Sequence, residues 1–383
     1  MRPLTFEQGP IRPPSEAYSL LLRVTRNCPW NRCGFCHTYK GQRFQARDVE
    51  EVKQDIDTIR QIAEEIKALS WRQGQGGEVT PSLVRSFFRD PDRSWDGFRS
   101  VSLWLLNGGK NVFLQDADSL CIKTERMIEI LRYLMETFPS IERVTTYARA
   151  KTISRKSVEE LRALFDAGLR RIHIGLETGY DPLLQYVRKG VTAEEHVEAG
   201  RRVKASGISL SEYVILGLGG RAMWQEHATH TAKVLNAIDP DFIRVRTLKL
   251  LPGMPLFEKM EQGEFQLLTD DEVVREERLL IEGLEGIQST FVSDHILNLL
   301  EEVEGKLPED KAEMLAVIDR YLALPERKRE NFRLGRRAGV YRVLDDLSDS
   351  ERYSQVEAAL NRVETTIPGG LEKALSDLTA SFI

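Results

Sequence analysis

Residues 19–36 read SLLLRVTRNCPWNRCGFC, an apolar run that opens directly into three cysteines. Ser19 to Thr25 has the look of a buried strand. The loop after it carries Cys28, Cys33 and Cys36 in a C-x4-C-x2-C spacing. Thiolates are soft donors that favour iron–sulfur or zinc over hard cations. Structural zinc takes four protein ligands, and a fourth is hard to find here. His37 adjoins Cys36, where ligation by both would strain the loop, and Cys121 lies far along the chain. Three local thiolates suit three irons of a [4Fe–4S] cluster whose fourth iron is left for an outside ligand. Cys28, Cys33 and Cys36 are therefore the expected metal ligands. Zinc with a distant fourth ligand, or buried thiols holding no metal, are the alternatives.

Outward from this loop the pattern alternates. Asp48 to Leu69 places Val49, Val52, Ile56, Ile59, Ile62, Ala63 and Ile66 on one helical stripe. Strands are then expected at Asn111–Gln115, Glu142–Tyr147, Arg170–Leu176, Ile208–Leu216 and Phe242–Leu248, with helices between them. Two helix starts carry a capping-box spacing, Ser157-x-x-Glu160 and Thr192-x-x-Glu195. Strands regularly separated by helices imply parallel βαβ units with right-handed crossovers. Periodicity alone permits either a doubly wound sheet or a curved, incomplete barrel. Residues 70–100, with Gly74, Gly76 and Gly77, break the rhythm and read as an insertion, either a mobile cover or an ordinary surface loop. Beyond Pro252, helices are expected at Asp270–Glu285, Val292–Glu304, Glu309–Leu324 and Ser348–Thr365. The expected organisation is a core over 1–260 and a helical C-terminal extension over 261–383.

Composition sets the class. The 383 residues carry 54 − 59 = −5 charges and are 41% hydrophobic, too apolar for a disordered chain. No stretch approaches 18 uninterrupted apolar residues, so no membrane span is expected. Four cysteines, three of them clustered, are not a secreted disulfide framework. The first residues lack an apolar signal core, and the expected location is the cytoplasm. The mildly acidic balance argues against a general polyanion binder.

The cysteine loop after the first strand, Phe35 just before the last cysteine, and the six βα units resemble the radical S-adenosylmethionine (radical SAM) superfamily. Gly175-Leu176-Glu177-Thr178-Gly179 and the Gly217–Gly220 turn add to the likeness. Residues 175–190 (GLETGYDPLLQYVRKG) are similar to the core shared by coproporphyrinogen dehydrogenases, methylthiotransferases and the Elongator catalytic subunit. The usual motif is C-x3-C-x2-C, so this chain has one extra residue in the first gap. The resemblance implies an α/β fold, a partial (β/α)6 barrel with a helical C-terminal extension. It also implies an enzyme in which a reduced [4Fe–4S] cluster splits SAM into methionine and a 5′-deoxyadenosyl radical.

Reactive groups of α/β barrels gather at the carboxyl ends of strands. By the resemblance, Gln115, Asp116 and Asp118 supply acceptors for the SAM ammonium, and Tyr147 and Arg149 face its carboxylate. Glu177 and Thr178 contact ribose or amino group, Gly217 and Gly219 admit the adenine, and Phe35 packs near the adenine. Each has a plainer reading: Asp116 and Asp118 as helix caps, Glu177 as an ion-pair partner, the glycines as a turn. Trp30 is expected to shield the cluster, and Cys121 and His173 to be core residues. Arg244 and Arg246, on the sixth strand, face either the cavity or solvent.

Absences narrow the reaction. A methylthiotransferase needs about three further cysteines, and neither a cobalamin domain nor an acetyltransferase module is evident. The expectation is a single-cluster enzyme acting on a small molecule, served by a one-electron donor such as flavodoxin or ferredoxin, with no membrane or nucleic-acid partner. Modification of a tRNA or a protein is the first alternative, and a non-enzymatic zinc- or cluster-binding scaffold the second. The basic stretch 327–342 reads as a solvated helical face, or as a docking site for an acidic donor or a phosphate.

Overall fold

The computed structural model describes residues 4–88 and 96–380. Six strands stand where the alternation predicts them: β1 (Leu20–Arg23), β2 (Asn111–Gln115), β3 (Arg143–Ala148), β4 (Leu169–Glu177), β5 (Ser209–Leu216) and β6 (Phe242–Thr247). Two more, β7 (Thr290–Val292) and β8 (Gly305–Lys306), extend the same sheet. Its order is sequential from β1 to β8. The resolved ladders among β1 to β4 are parallel, as is that of β6 with β7; β8 runs antiparallel to β7.

That order decides between the two architectures left open by periodicity. A doubly wound sheet reverses its strand order at a switch point. Sequential order with right-handed crossovers instead keeps every helix on one face, which is the winding of an α/β barrel. The order starts at β1 and stops at β8, so the barrel is incomplete. Between strands run α1 (Val49–Arg72), α2 (Thr124–Thr137), α3 (Val158–Asp166), α4 (Ala193–Ser206) and α5 (Gly220–Ile238).

The chain divides into two compact units, and the division runs through β4 and β5 themselves. The first comprises residues 1–175 and 198–211. On one face of its strands Leu20, Leu22, Val112, Leu114, Val144, Ile172 and Ile174 are fully buried. Val52, Ile56, Ile59, Ile62 and Ile66 of α1 are buried with them, each worth about 1.5–3 kcal/mol. The other face is mixed, with Leu21 opposite Phe113. Arg23 pairs in register with Gln115, and Tyr147 with His173. The insertion supplies helices at Pro81–Phe88 and Asp96–Leu106; its residues 89–95 lie outside the described residues.

The second unit comprises residues 176–197 and 212–383. It holds α6 (Asp270–Glu282), α7 (Lys311–Leu322), α8 (Glu326–Arg337), α9 (Ser350–Thr366) and α10 (Gly370–Ala380). The helix expected over Val292–Glu304 does not form. Asn298 is buried there and donates to Val245 O and Ser293 Oγ, so the segment turns back as loop and strand. Much of the basic stretch is turned inward rather than spread over a solvated face, although Arg342 stays exposed. Arg333 and Arg337 are buried against Asp270, and Arg333 also holds Glu372. Arg329 pairs with Asp271, Arg327 with Glu357, and Arg336 and Arg342 with Glu301. The arginines bind the extension together from within.

Candidate active site

The first unit positions the cysteine loop. Thr25–Arg26 pairs antiparallel with Gln45–Ala46 and closes the loop at its base. Cys28, Cys33 and Cys36 are half-buried free thiols on it. Asn31, inside the lengthened first gap, takes a left-handed conformation at φ 49°, which Asn tolerates better than most residues. Its side-chain amide donates to Tyr39 O and Gln42 O, and Lys40 Nζ donates to Asn31 O. The extra residue is thus absorbed by a turn stapled across the loop. The Asn31 N–H also donates to Cys28 Sγ at 3.3 Å.

Asp116 ties this loop to the end of β2. It is fully buried and accepts from Arg23 at 2.9 Å, from Asn27 N at 2.8 Å and from the Tyr39 hydroxyl at 2.9 Å. Burial, then the adjacent Asp116 charge, push the Tyr39 hydroxyl well above the usual phenol range. Gln115 is also committed: its oxygen accepts from Gly9 N, and its amide donates to Gly9 O and Ile11 O. A Cβ on Gly9 would sit 2.4 Å from Asp116 Oδ1, so only glycine fits there.

Asp118, buried, accepts from Thr152 Oγ1 at 2.6 Å and Arg149 N at 3.4 Å, fastening the turn after β3. Burial pushes its carboxyl up to about 6, against the pull of Thr152 and Arg149. The Arg149 guanidinium lies 5.0 Å from the Trp30 ring centroid, and Arg32 lies 5.2 Å from it. Tyr147 meets Phe113 edge-on at 5.3 Å. Phe35 is half-buried between Cys33 and Cys36.

The second unit carries the remaining expected residues. Glu177 has φ 63° and pairs with Lys189 at 2.7 Å. Thr178 is buried, accepts from Tyr180 N and meets His227 Nδ1 at 2.8 Å. His227 Nε2 faces Ile215 O at 3.0 Å. A carbonyl only accepts, so Nε2 bears the proton and Nδ1 takes the Thr178 hydroxyl hydrogen. Burial lowers His227 to about 4, so it is neutral. Gly179 N donates to Thr231 Oγ1 at 2.9 Å, and a Cβ on Gly179 would lie 2.5 Å from His230 O. The Gly175–Gly179 stretch is therefore moored on α5.

At the end of β5, Gly217 has φ 83° and donates its N–H to Glu276 of α6. A Cβ on Gly219 would lie 2.8 Å from Met223 O, so close backbone approach within the turn itself demands glycine. Glu276 is fully buried, and burial pushes its carboxyl up to about 8. His227, Thr231 and Glu276 are supports that sequence reading missed. The only local signal was the spacing of His227 and Thr231, four apart on one helix face.

The donor set fits an iron–sulfur cluster. Among the described residues no three His, Cys, Asp or Glu side chains converge as ligands of one ion. A cluster asks for something else, one thiolate per iron. Three half-buried cysteines on a clamped loop, one already accepting a backbone N–H, are a donor set that fits that demand.

Residues 22–230 match the sequence model of the Radical SAM superfamily, more than half of the chain, and the chain belongs to that superfamily. It is an enzyme, and its family's cofactors are a [4Fe–4S] cluster and SAM. The non-enzymatic scaffold reading falls with that. The chain is 23% identical over 117 residues to a tRNA uridine(34) acetyltransferase of Methanocaldococcus jannaschii, covering 30% of this chain and 22% of that protein. It is 27% identical over 198 residues to the 4′-phospho-dehydrooxetanocin synthase of Priestia megaterium, covering 50% and 22%. The chain thus spans about a fifth of these relatives. Among solved structures, the cobalamin-dependent SAM radical enzyme OxsB aligns with 95% of this chain and 54% of its own, at TM-score 0.44 and 14% identity. Coproporphyrinogen III oxidase of Escherichia coli aligns with 69% and 50%, at TM-score 0.42 and 14% identity. No helix among the described residues is long and apolar enough to cross a membrane.

Proposed function

We propose that this radical SAM enzyme holds its cluster on Cys28, Cys33 and Cys36 and acts on a small organic substrate. The carrying observation is the clamped three-thiolate loop inside a chain of this family. When bound, the cluster and SAM supply a 5′-deoxyadenosyl radical that takes a hydrogen atom from the substrate. The chain's residues prepare for it. Asp116 fixes the loop against β2, Asn31 staples its lengthened gap, and Trp30 is held under two guanidiniums. His227 and Thr231 hold the Glu177–Gly179 turn, and Glu276 holds Gly217. Under this reading Phe35, Gln115, Asp116, Asp118, Tyr147 and Arg149 in the first unit, and Glu177, Thr178, Gly217 and Gly219 in the second, are each proposed as cofactor-binding residues. Several of them serve as supports, because their polar atoms already have partners in the protein. An outside one-electron donor of flavodoxin or ferredoxin type reduces the cluster.

The test is anaerobic reconstitution. Wild-type protein should carry about four irons and release 5′-deoxyadenosine on reduction with SAM; Cys33→Ala should do neither, and wild-type release from Cys33→Ala rejects the assignment. A second reading, modification of a tRNA, is favoured by the similarity to the tRNA-acting relative of Methanocaldococcus. Stoichiometric RNA copurifying with the reconstituted enzyme would replace the small-molecule reading with that one.

A further inference from the structure

In the second unit, a cavity of about 150 Å³ lies at the carboxyl ends of β5 and β6, roofed by the extension. Leu216, Leu248, Val273, Leu297 and Leu375 give it apolar walls. Its polar lining includes three cations, Lys249, Arg333 and Arg337, against two carboxylates, Asp270 and Glu372, so 3 − 2 = +1. The carboxylates do not use up the donors. Arg337 has a side chain only 3% exposed, and its Nε–H has no acceptor. Lys249 Nζ donates to Ser376 O and Thr379 Oγ1, which engages two of its three hydrogens. A buried cationic donor without an acceptor costs on the order of 1–3 kcal/mol and calls for an explanation.

We infer that this cavity is an anion subsite, in which Lys249 and Arg337 bind the carboxylate or phosphate group of a small substrate. Surplus positive charge, an orphaned guanidinium donor and apolar walls are together the chemistry of a negatively charged head on a short carbon body. A cavity of this size admits a body about as large as benzene, which suits a small organic anion. Strand carboxyl ends are where barrels of this winding place their substrates. Calling the anion a substrate rests on the function proposed above, whereas the binding itself does not.

Calorimetry on the full-length reconstituted protein with SAM present tests this, using inorganic phosphate and butyrate as separate titrants. One saturable site per chain is expected, and the tighter titrant identifies the head group. Lys249→Ala should weaken binding at least tenfold. Leu375→Trp, which fills the cavity and leaves every charge in place, should abolish it. Arg342→Ala, which removes an exposed arginine outside the cavity, should leave it unchanged. No saturable heat with either anion, or wild-type affinity in Lys249→Ala or Leu375→Trp, overturns the inference. Iron content and 5′-deoxyadenosine release from the same wild-type preparation keep the two readings apart. A loaded enzyme blind to both anions rejects the subsite alone, and an iron-free chain that binds them rejects only the proposed function.

Discussion

Asp116 shows how much a single side chain carries. It has no solvent exposure and receives donors from Arg23, Asn27 and Tyr39, which join a strand end to both ends of the cysteine loop. Removing it leaves a half-buried guanidinium with Glu7 as its counter-ion among the described residues. Asp116→Ala should cost about 3 kcal/mol in urea denaturation of the apo-protein and lower the iron retained per chain. Asn31 allows a finer separation, because its backbone conformation and its side-chain bonds are independent. Asn31→Gly keeps the left-handed turn and loses the two bonds; Asn31→Ala loses both and adds about 1–2 kcal/mol of strain. Iron release to a chelator should therefore be slowest in wild type, faster in Asn31→Gly and fastest in Asn31→Ala. Equal rates in the two variants would mean that the turn's handedness is irrelevant. The residue types at these positions were legible in the sequence, but their partners were not. Chemistry that needs three neighbouring thiolates must be written in neighbouring residues. The partners of Thr178, Gly179 and Gly217, by contrast, lie 49, 52 and 59 positions away. Nothing local marks His227, Thr231 or Glu276 as theirs.

At the scale of elements, α8 turns a charge run into a brace. The arginines of this helix and of the segment after it look alike in sequence, yet they fall into two energetic classes. Arg333 and Arg337 have side chains 8% and 3% exposed and share Asp270. Arg342 is 79% exposed beside Glu301. Asp270→Ala leaves two buried cations short of a counter-ion and should cost about 3–5 kcal/mol. Removing the exposed Arg342 pair should cost less than about 1 kcal/mol and be sensitive to salt. Chemical denaturation of the two variants at low and high salt separates the classes; equal losses would mean that burial does not set the strength of these pairs. The same contrast explains which elements sequence reading found. Strands β1 to β6 are apolar runs bounded by turns, and their pattern survives any packing. The stretch 292–304 imitates a helix because Ile296, Leu297, Leu300 and Val303 recur at helical spacing. It becomes loop and strand because a buried Asn298 finds the β6 backbone, and because β7 adds to the sheet beside β6. Three-residue strands leave no periodicity to read.

For the whole molecule, buried groups give stability a pH dependence that net charge does not reveal. Burial raises Asp118 to about 6 and Glu276 and Glu277 to about 8, and it lowers His227 and His295 to about 4. A carboxyl raised in the fold keeps a proton that the unfolded chain has given up. Its stabilisation is whole below the ordinary carboxyl range near 4.5 and is lost as pH rises through 6 or 8. A histidine held neutral works in the opposite sense: its share is whole above about 6.5 and is lost as pH falls toward 4. Between 4 and 6.5 the two sets oppose each other. From 6.5 to 8 the raised carboxyls act, Glu276 and Glu277 each removing about 2 kcal/mol, and buried Glu212 works in the same direction. The apo-protein should therefore be more stable at pH 6.5 than at pH 8 in urea denaturation, although most of its surface charge does not change over that range. Glu277 isolates the cause, since its Oε1 has no partner to lose. Glu277→Gln should match wild type near pH 4.5 and exceed it by about 4 kcal/mol at pH 8. A wild-type profile that stays flat or rises from 6.5 to 8 would show that these carboxyls are ionised in the folded chain, with a counter-charge holding them there.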